Sequence, residues 1–277
     1  MEAIFSRFPI EAVVHFAASA YVGESQDDPF KYFNNNVIQS LRLFEAMDRS
    51  GINKIVFSST CATYGNPQYV PIDEKHPQVP VNVYGATKLM IEKALIALAG
   101  SSDWSCIFLR YFNAAGADPG GEIGEEHDPE THLIPLALKA ALGEVKSLNM
   151  YGDDYDTDDG TCIRDYIHVT DLARAHISAL DLLKEKQVCM GINLGTEKGA
   201  SVKEIVALCE KITGKEVPRT VSPRRSGDPP RLVADAGLAG KTLDWKAQCD
   251  LENIISTAWK WHSQQKTTRK RKVPLSS

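Results

Sequence analysis

A tyrosine and a lysine four residues apart, Tyr84 and Lys88 in the run YGATK, carry the most informative chemistry of the sequence. At helical spacing they share one face about one turn apart, so a phenol and an ammonium can point into one site. A free phenol titrates near 10 and is a poor base at neutral pH, whereas a cation within a few ångströms favours the phenolate. A tyrosine tuned in this way can take the proton of an alcohol while a hydride leaves the same carbon, and can later return it. The spacing alone is weakly specific, because such pairs also arise by chance. Upstream, SSTCATYG at residues 58–65 clusters hydroxyls directly behind an apolar stretch. Thr60 is the candidate to bridge a substrate alcohol and the phenol. The competing reading is a turn whose Ser and Thr side chains bond their own backbone.

Such side chains need a scaffold to hold them. Residues 12–17 (AVVHFA), 54–58 (KIVFS) and 105–110 (SCIFLR) are short apolar runs of the kind buried on both faces of a parallel sheet. Between the first two, Phe30, Phe33, Val37, Leu41, Phe44 and Met47 recur three or four apart, which predicts a helix from Pro29 that Gly51 ends. A second helix is expected over residues 83–99. This alternation implies right-handed crossovers and an open α/β sheet, in which ligands bind at the carboxyl ends of strands.

Beyond Asn113 the rhythm breaks. Residues 117–132, rich in Gly, Pro and acids, read as a long solvated loop. Glu125, Glu126, His127, Asp128 and His132 lack the spacing of a helical His-x-x-x-His site, so no metal is expected there. Helices are expected over residues 134–142, 170–183, 201–213 and 251–264, the third opened by a capping box at Ser201 and Glu204. Strands fall near residues 148–151 and 190–194. Residues 266–277, with five basic side chains, read as a disordered tail.

The chain has 277 residues, 31 basic and 36 acidic, for a net charge of -5, which argues against a nucleic-acid partner. No apolar stretch is long enough to span a bilayer. Glu2 and Arg7 interrupt the first apolar run, so no secretory signal is expected. Six cysteines without a C-x-x-C motif fit a reducing cytoplasm better than a disulfide framework or a zinc ribbon.

In order and spacing, nearly the whole chain resembles the extended short-chain dehydrogenase/reductases, and among them the UDP-glucose (UDP-galactose) 4-epimerases. The runs that carry the resemblance are VVHFAASAYVGES, NNNV, SSTCATYG, YGATK, LRYFNAAGADP, THLIP, DGTCIRDYIHVTDLARAH, INLG and SPRRSGDPP. The resemblance implies a Rossmann-type doubly wound parallel sheet with a smaller C-terminal α/β region for the substrate. It makes Tyr84 the acid/base, Lys88 its pKa-lowering and ribose-binding partner, and Thr60 the assisting hydroxyl. Phe16, Ala17, Ala18, Asn35, Ser58 and Phe112, with Tyr84 and Lys88, match contacts to NAD. Thr60, Asn113, Leu133, Tyr151, Arg164, Arg225 and Asp228 match positions that hold the UDP-sugar. Two arginines suit a diphosphate and an aspartate suits ribose hydroxyls. Leu232 sits where sugar preference is tuned. The family's helices matching residues 29–50 and 83–99 form a four-helix bundle in a homodimer.

The implied domains are residues 1–113 with parts of 160–195 for NAD, 114–160 and 196–265 for the UDP-sugar, and the tail 266–277. The family's Gly-rich G-x-x-G-x-x-G turn has no counterpart in the sequence, in which no glycine precedes Gly23. The Rossmann half is therefore read as truncated, with weakened NAD binding and an unpaired edge at residues 12–17. The rival readings are an inactive UDP-sugar-binding or dimerising chain, and an epimerase of UDP-pentoses or UDP-N-acetylhexosamines. A nucleotide-sugar dehydratase or decarboxylase is disfavoured, because Thr60 and Cys61 stand where such chemistry needs a carboxylate.

Overall fold

The computed structural model describes residues 1–225 and 227–272, with the backbone alone for 266–272. In chain order the first elements are α1 (Glu2–Phe5), β1 (Val13–His15), α2 (Val22–Asp27), α3 (Pro29–Tyr32), α4 (Gln39–Arg49), β2 (Lys54–Thr60), α5 (Val83–Ser101) and β3 (Ser105–Tyr111). There follow β4 (Asn113–Ala115), α6 (Leu133–Ala141), β5 (Leu148–Tyr151), β6 (Ile163–His168), α7 (Val169–Glu185) and β7 (Cys189–Leu194). The last are β8 (Gly199–Ser201), α8 (Val202–Thr213), β9 (Arg219–Ser222), β10 (Arg231–Leu232), α9 (Gly237–Leu243) and α10 (Leu251–Lys272). They fall into two compact units. The first is Met1–Phe112 with Ala173–Leu194 and Ala234–Lys246, and the second is Asn113–Leu172 with Gly195–Val233 and the chain from Ala247 onward.

In the first unit β1, β2, β3 and β7 form one parallel sheet in that order. Its central apolar runs become strands because both faces are covered: on one, Ile55, Phe57, Cys106 and Phe108 cluster with Leu43, Phe44 and Met47 of α4 and Ile91 and Leu95 of α5, and on the other Val56, Ile107 and Leu109 are buried. β1 lies at the sheet edge, with β2 its partner.

The helix expected from Pro29 is interrupted by a π-helical turn, Phe33–Ile38, between α3 and α4. The extra residue shifts the helical phase, so Phe30 and Leu41 do not join the buried face. Tyr32, Asn36 and Ser40 turn inward instead, while Phe30 is 83% exposed. The buried polar groups are paired. Asn36 accepts from Ser19 N at 2.8 Å and donates to Ser19 O at 3.0 Å and Thr87 Oγ1 at 3.1 Å. Asn82 caps α5 by accepting from Gly85 N at 2.7 Å. Gly85 is required by close approach: a Cβ there would meet the Ala62 carbonyl oxygen at 2.4 Å. The glycine within YGATK thus brings the start of α5 against the turn that follows β2.

In the second unit β10, β6 and β4 are parallel neighbours, β8 runs antiparallel beside β6, and β5 pairs with β9. The core joins Ile134 and Leu138 of α6, Ile205 and Cys209 of α8, and Ile254 and Ile255 of α10. The capping box forms, with Ser201 Oγ accepting from Glu204 N at 3.0 Å and Glu204 accepting from Ser201 N at 2.7 Å. β6 is a strand that periodicity did not predict, since Arg164, Asp165 and His168 interrupt its apolar residues. Burial is possible because partners exist: Asp165 accepts from Thr196 N at 2.8 Å, Thr196 Oγ1 at 2.6 Å and Glu197 N at 3.1 Å. α10 continues to Lys272, so part of the expected tail is helical, as the helix propensity of Lys and Arg permits. Residues 273–277 lie outside the described residues. Among the described residues no helix is long and apolar enough to cross a membrane.

Candidate active site

The catalytic candidates of the first unit meet at the carboxyl end of β2. Thr60 is the last residue of that strand, and its hydroxyl accepts from Ala62 N at 3.1 Å, so the hydroxyl-rich run is also a capped turn. Tyr84 and Lys88 stand one turn apart on α5, with Lys88 Nζ 5.9 Å from the centre of the Tyr84 ring. Lys88 is buried, and its ammonium donates to the Ser58 carbonyl oxygen at 2.8 Å and lies 4.8 Å from the centre of the Phe57 ring. The Ser58 hydroxyl and His176 Nε2 share a hydrogen bond of 3.2 Å. His176, which the sequence did not single out, also packs on Phe16 with ring centres 4.6 Å apart. Phe16 is 59% exposed just past β1 and is followed by Ala17 and Ala18. Asn35 sits on the π turn and donates to Ser19 Oγ at 3.2 Å, and Phe112 is buried just past β3.

Desolvation governs the proton affinities here. Burial pushes Lys88 down to about 8, opposed by the Glu92 carboxylate one turn along α5, so most of its charge survives at neutral pH. Burial also pushes the Tyr84 phenol above its ordinary value, and hydrogen bonding from Thr60 pulls it back only in part. The expectation of a tyrosine pKa lowered by Lys88 is therefore corrected. The ammonium donates to the Ser58 carbonyl, desolvation of the phenolate leads, and Lys88 is not among the groups that pull the phenol down. By itself the chain holds Tyr84 as the neutral, proton-donating phenol.

Beneath these residues lies a buried network that sequence reasoning missed. Arg110 donates to both carboxylate oxygens of Glu92, from Nε at 3.0 Å and Nη2 at 2.7 Å, and to the Tyr64 hydroxyl at 3.0 Å. Ser59 donates to Glu92, and Tyr64 to Asn193 Oδ1 at 2.7 Å. The network ties β2, β3, β7 and α5 together directly below Thr60. Its members are scattered along the chain, and only Ser59 and Tyr64 belong to the hydroxyl-rich run that drew notice.

The candidates of the second unit gather around β6. Arg164 pairs with Asp228 and donates from its other terminal nitrogen to the Ile163 carbonyl oxygen at 2.7 Å. The Arg225 guanidinium lies 4.0 Å from the centre of the Tyr151 ring, a cation–π contact. Asn113 pairs in register with Tyr166, two residues beyond Arg164 and on the same side of β6, and Leu232 pairs with Arg164 itself. Leu133 opens α6 and packs on the core cluster that contains Tyr166. Tyr155 was not anticipated. Its hydroxyl is buried without a hydrogen-bond partner among the described residues, within the electrostatic reach of Asp228 and Arg164. An orphan hydroxyl beside an Arg–Asp pair is one that a polar ligand would complete.

The loop over residues 117–132 also departs from expectation. Glu125, His127, Glu130 and His132 converge although their spacing fits no helical pattern, because the loop itself closes the set.

Residues 1–195 match the model of the NAD dependent epimerase/dehydratase family. A UDP-glucose 4-epimerase of Halalkalibacterium halodurans is 47% identical over 265 residues, which cover 95% of this chain and 79% of that protein. The crystal structure of UDP-glucose 4-epimerase from Brucella ovis in complex with NAD superposes with a TM-score of 0.91 at 50% identity, covering 93% of this chain and 80% of that one. The Bifidobacterium longum enzyme, in complex with NAD+ and UDP, gives a TM-score of 0.92 at 39% identity, covering 96% and 80%.

Proposed function

Because the chain belongs to the NAD dependent epimerase/dehydratase family, we infer that it interconverts UDP-glucose and UDP-galactose by inverting carbon 4 of the hexose, with NAD as cofactor. The observation that carries this reading is the grouping of Thr60, Tyr84 and the buried Lys88 at the end of β2. The residues present fit the cofactor. Phe16 offers an exposed apolar ring past the end of β1, Ala17 and Ala18 leave the backbone there accessible, and Lys88 keeps N–H donors beyond the one given to Ser58. These residues, with Asn35, Ser58, Tyr84 and Phe112, would hold it.

When bound, NAD supplies a reversible hydride acceptor for carbon 4 and a positive charge on its nicotinamide ring. Tyr84 takes the proton of the 4-hydroxyl as that carbon is oxidised and returns it on reduction, so the proton balance closes on one phenol. The phenol favoured by burial serves the reductive half. The oxidative half needs the phenolate, which the positive charge that bound NAD supplies would favour, while Lys88 is held at the site by the Ser58 carbonyl. Thr60 orients the substrate hydroxyl toward the phenolic oxygen.

In the second unit Arg164 and Arg225 take the diphosphate through charge-assisted hydrogen bonds, and Asp228 accepts from ribose hydroxyls. Asn113, Leu133 and Tyr151 complete the UDP contacts, while Tyr155 adds a hydroxyl. Asp228 and the Ile163 carbonyl preset the Arg164 guanidinium and leave its remaining donors for the ligand. Anchoring by the nucleotide lets the sugar present either face, so remote binding energy serves the chemistry. On this reading the first unit holds the cofactor and the second the UDP group.

Exposed Phe30, Ile38 and Leu41 along the α3–α4 segment and Met90 and Ile96 on α5 support a homodimer joined as a four-helix bundle. Cysteines joined by no disulfide support a cytoplasmic setting. The test is conversion of UDP-galactose to UDP-glucose with NAD supplied. Turnover that Tyr84→Phe abolishes, with UDP affinity intact, is expected. UDP binding with no turnover by the unaltered chain would overturn the catalytic reading.

A further inference from the structure

We propose that the loop between β4 and α6 is a structural metal site, which binds one zinc ion through Glu125, His127, Glu130 and His132. Each residue brings one ligand atom, and the four lie within 4.8 Å of one another. Glu125 Oε1 is 3.0 Å from His127 Nδ1 and 2.8 Å from His132 Nδ1, and Glu130 Oε2 is 3.7 Å from His127 Nδ1. Tetrahedral zinc with bonds of about 2.0–2.1 Å requires donors about 3.4 Å apart; these three separations bracket that value, and the wider ones, up to 4.8 Å, would close on the ion.

A second observation points to a cation independently. The Glu130 side chain is only 3% exposed. Its Oε1 accepts from Thr131 N at 2.8 Å, His132 N at 2.9 Å and His132 Nδ1 at 2.9 Å, and zinc would displace to solvent the proton that His132 Nδ1 holds between Glu130 and Glu125. Its Oε2 is buried with no hydrogen bond among the described residues and faces the cluster, 3.7 Å from His127 Nδ1. A buried carboxylate oxygen without a donor is costly, and a metal ion would satisfy it.

The donor set is braced from outside the loop. Trp261 Nε1 donates to the Glu125 carbonyl oxygen at 3.0 Å, and Gly124 lets the Trp261 ring lie where a Cβ would meet it at 2.3 Å. Two imidazoles and two carboxylates suit zinc, whereas calcium and magnesium take shells of oxygen. Four protein ligands make a closed, structural site rather than a catalytic one. His132 directly precedes Leu133, the first residue of α6, so the metal would fix the entry to that helix. The site takes no part in carbon 4 chemistry and does not depend on that reading.

The full chain, stripped by a chelator, is titrated with zinc chloride by calorimetry and with cobalt(II) chloride by visible absorption. One equivalent of zinc should bind and raise Tm, and cobalt should give the spectrum of a four-coordinate nitrogen and oxygen site. His127→Ala and the near-isosteric Glu130→Gln, each with an unchanged circular dichroism spectrum, should bind zinc at least tenfold more weakly. No stoichiometric zinc binding by the unaltered chain would overturn the proposal. So would undiminished affinity in both variants, or a cobalt–thiolate charge-transfer band placing the metal on cysteines.

Discussion

In the first unit Lys88, Glu92 and Arg110 are buried on α5 and β3, tied to a backbone carbonyl and to one another. In the second, Arg224, Arg225 and Asp154 come from loops and lean on neighbours at exposed positions, and Asp228 is partly exposed beside the buried Arg164 of β6. On the function proposed above, the contrast follows from what each set does. A reacting group needs a fixed position and a shifted proton affinity, and both come from burial on rigid elements. A recognition surface has to exchange its own pairs for those of a ligand, and exposed pairs cost little to open.

The most severe way to break this comparison is Tyr84→Phe, which should lower kcat by about 10⁴-fold and leave UDP affinity unchanged, as read by steady-state rates and calorimetry. Lys88→Met should cost about 10³-fold. It should also remove an alkaline fall in kcat/KM, which in the unaltered enzyme runs through about pH 8 as the ammonium is lost. A fall that persists in the variant would assign that limb to another group.

A third measurement probes the buried charge economy of the first unit by pH. His15, hydrogen-bonded to Ser40 at 2.8 Å, is pushed down to about 4 by burial and, second, by Lys88. Between pH 6.5 and 4 the unfolded chain binds a proton that the folded chain refuses. Stability complete above pH 6.5 should therefore decline toward pH 4, by on the order of 3 kcal/mol. Urea midpoints across that range check it, and His15→Gln should flatten the slope.

In the second unit Arg164→Met should raise KM for UDP-galactose by about 10–100-fold with kcat nearly unchanged. An equal loss in kcat would erase the distinction between holding and reacting. Ser201→Ala, which removes the α8 cap, should cost about 1 kcal/mol in urea unfolding without altering either kinetic constant.

Much of the first unit is legible in residue order. Apolar runs of strand length mark β2 and β3 because those strands are buried on both faces, and Tyr84 and Lys88 share a helix face by spacing alone. The second unit is less so. β6 carries Arg164, Asp165 and His168, and such residues enter a core only when partners such as Thr196 lie far along the chain.

Local order, acting through helix period, capping at Ser201 and the breaking of the helix at Gly51, determined which segments become elements and which side chains share a face. Tertiary packing decided the rest. It turned Asn36 inward through the π turn, set desolvation above Lys88 at the Tyr84 phenol, and drew Glu125, His127, Glu130 and His132 together. The first two outcomes depend on groups distant in sequence and on the removal of water, and the third on the path of a loop that no regular spacing marks.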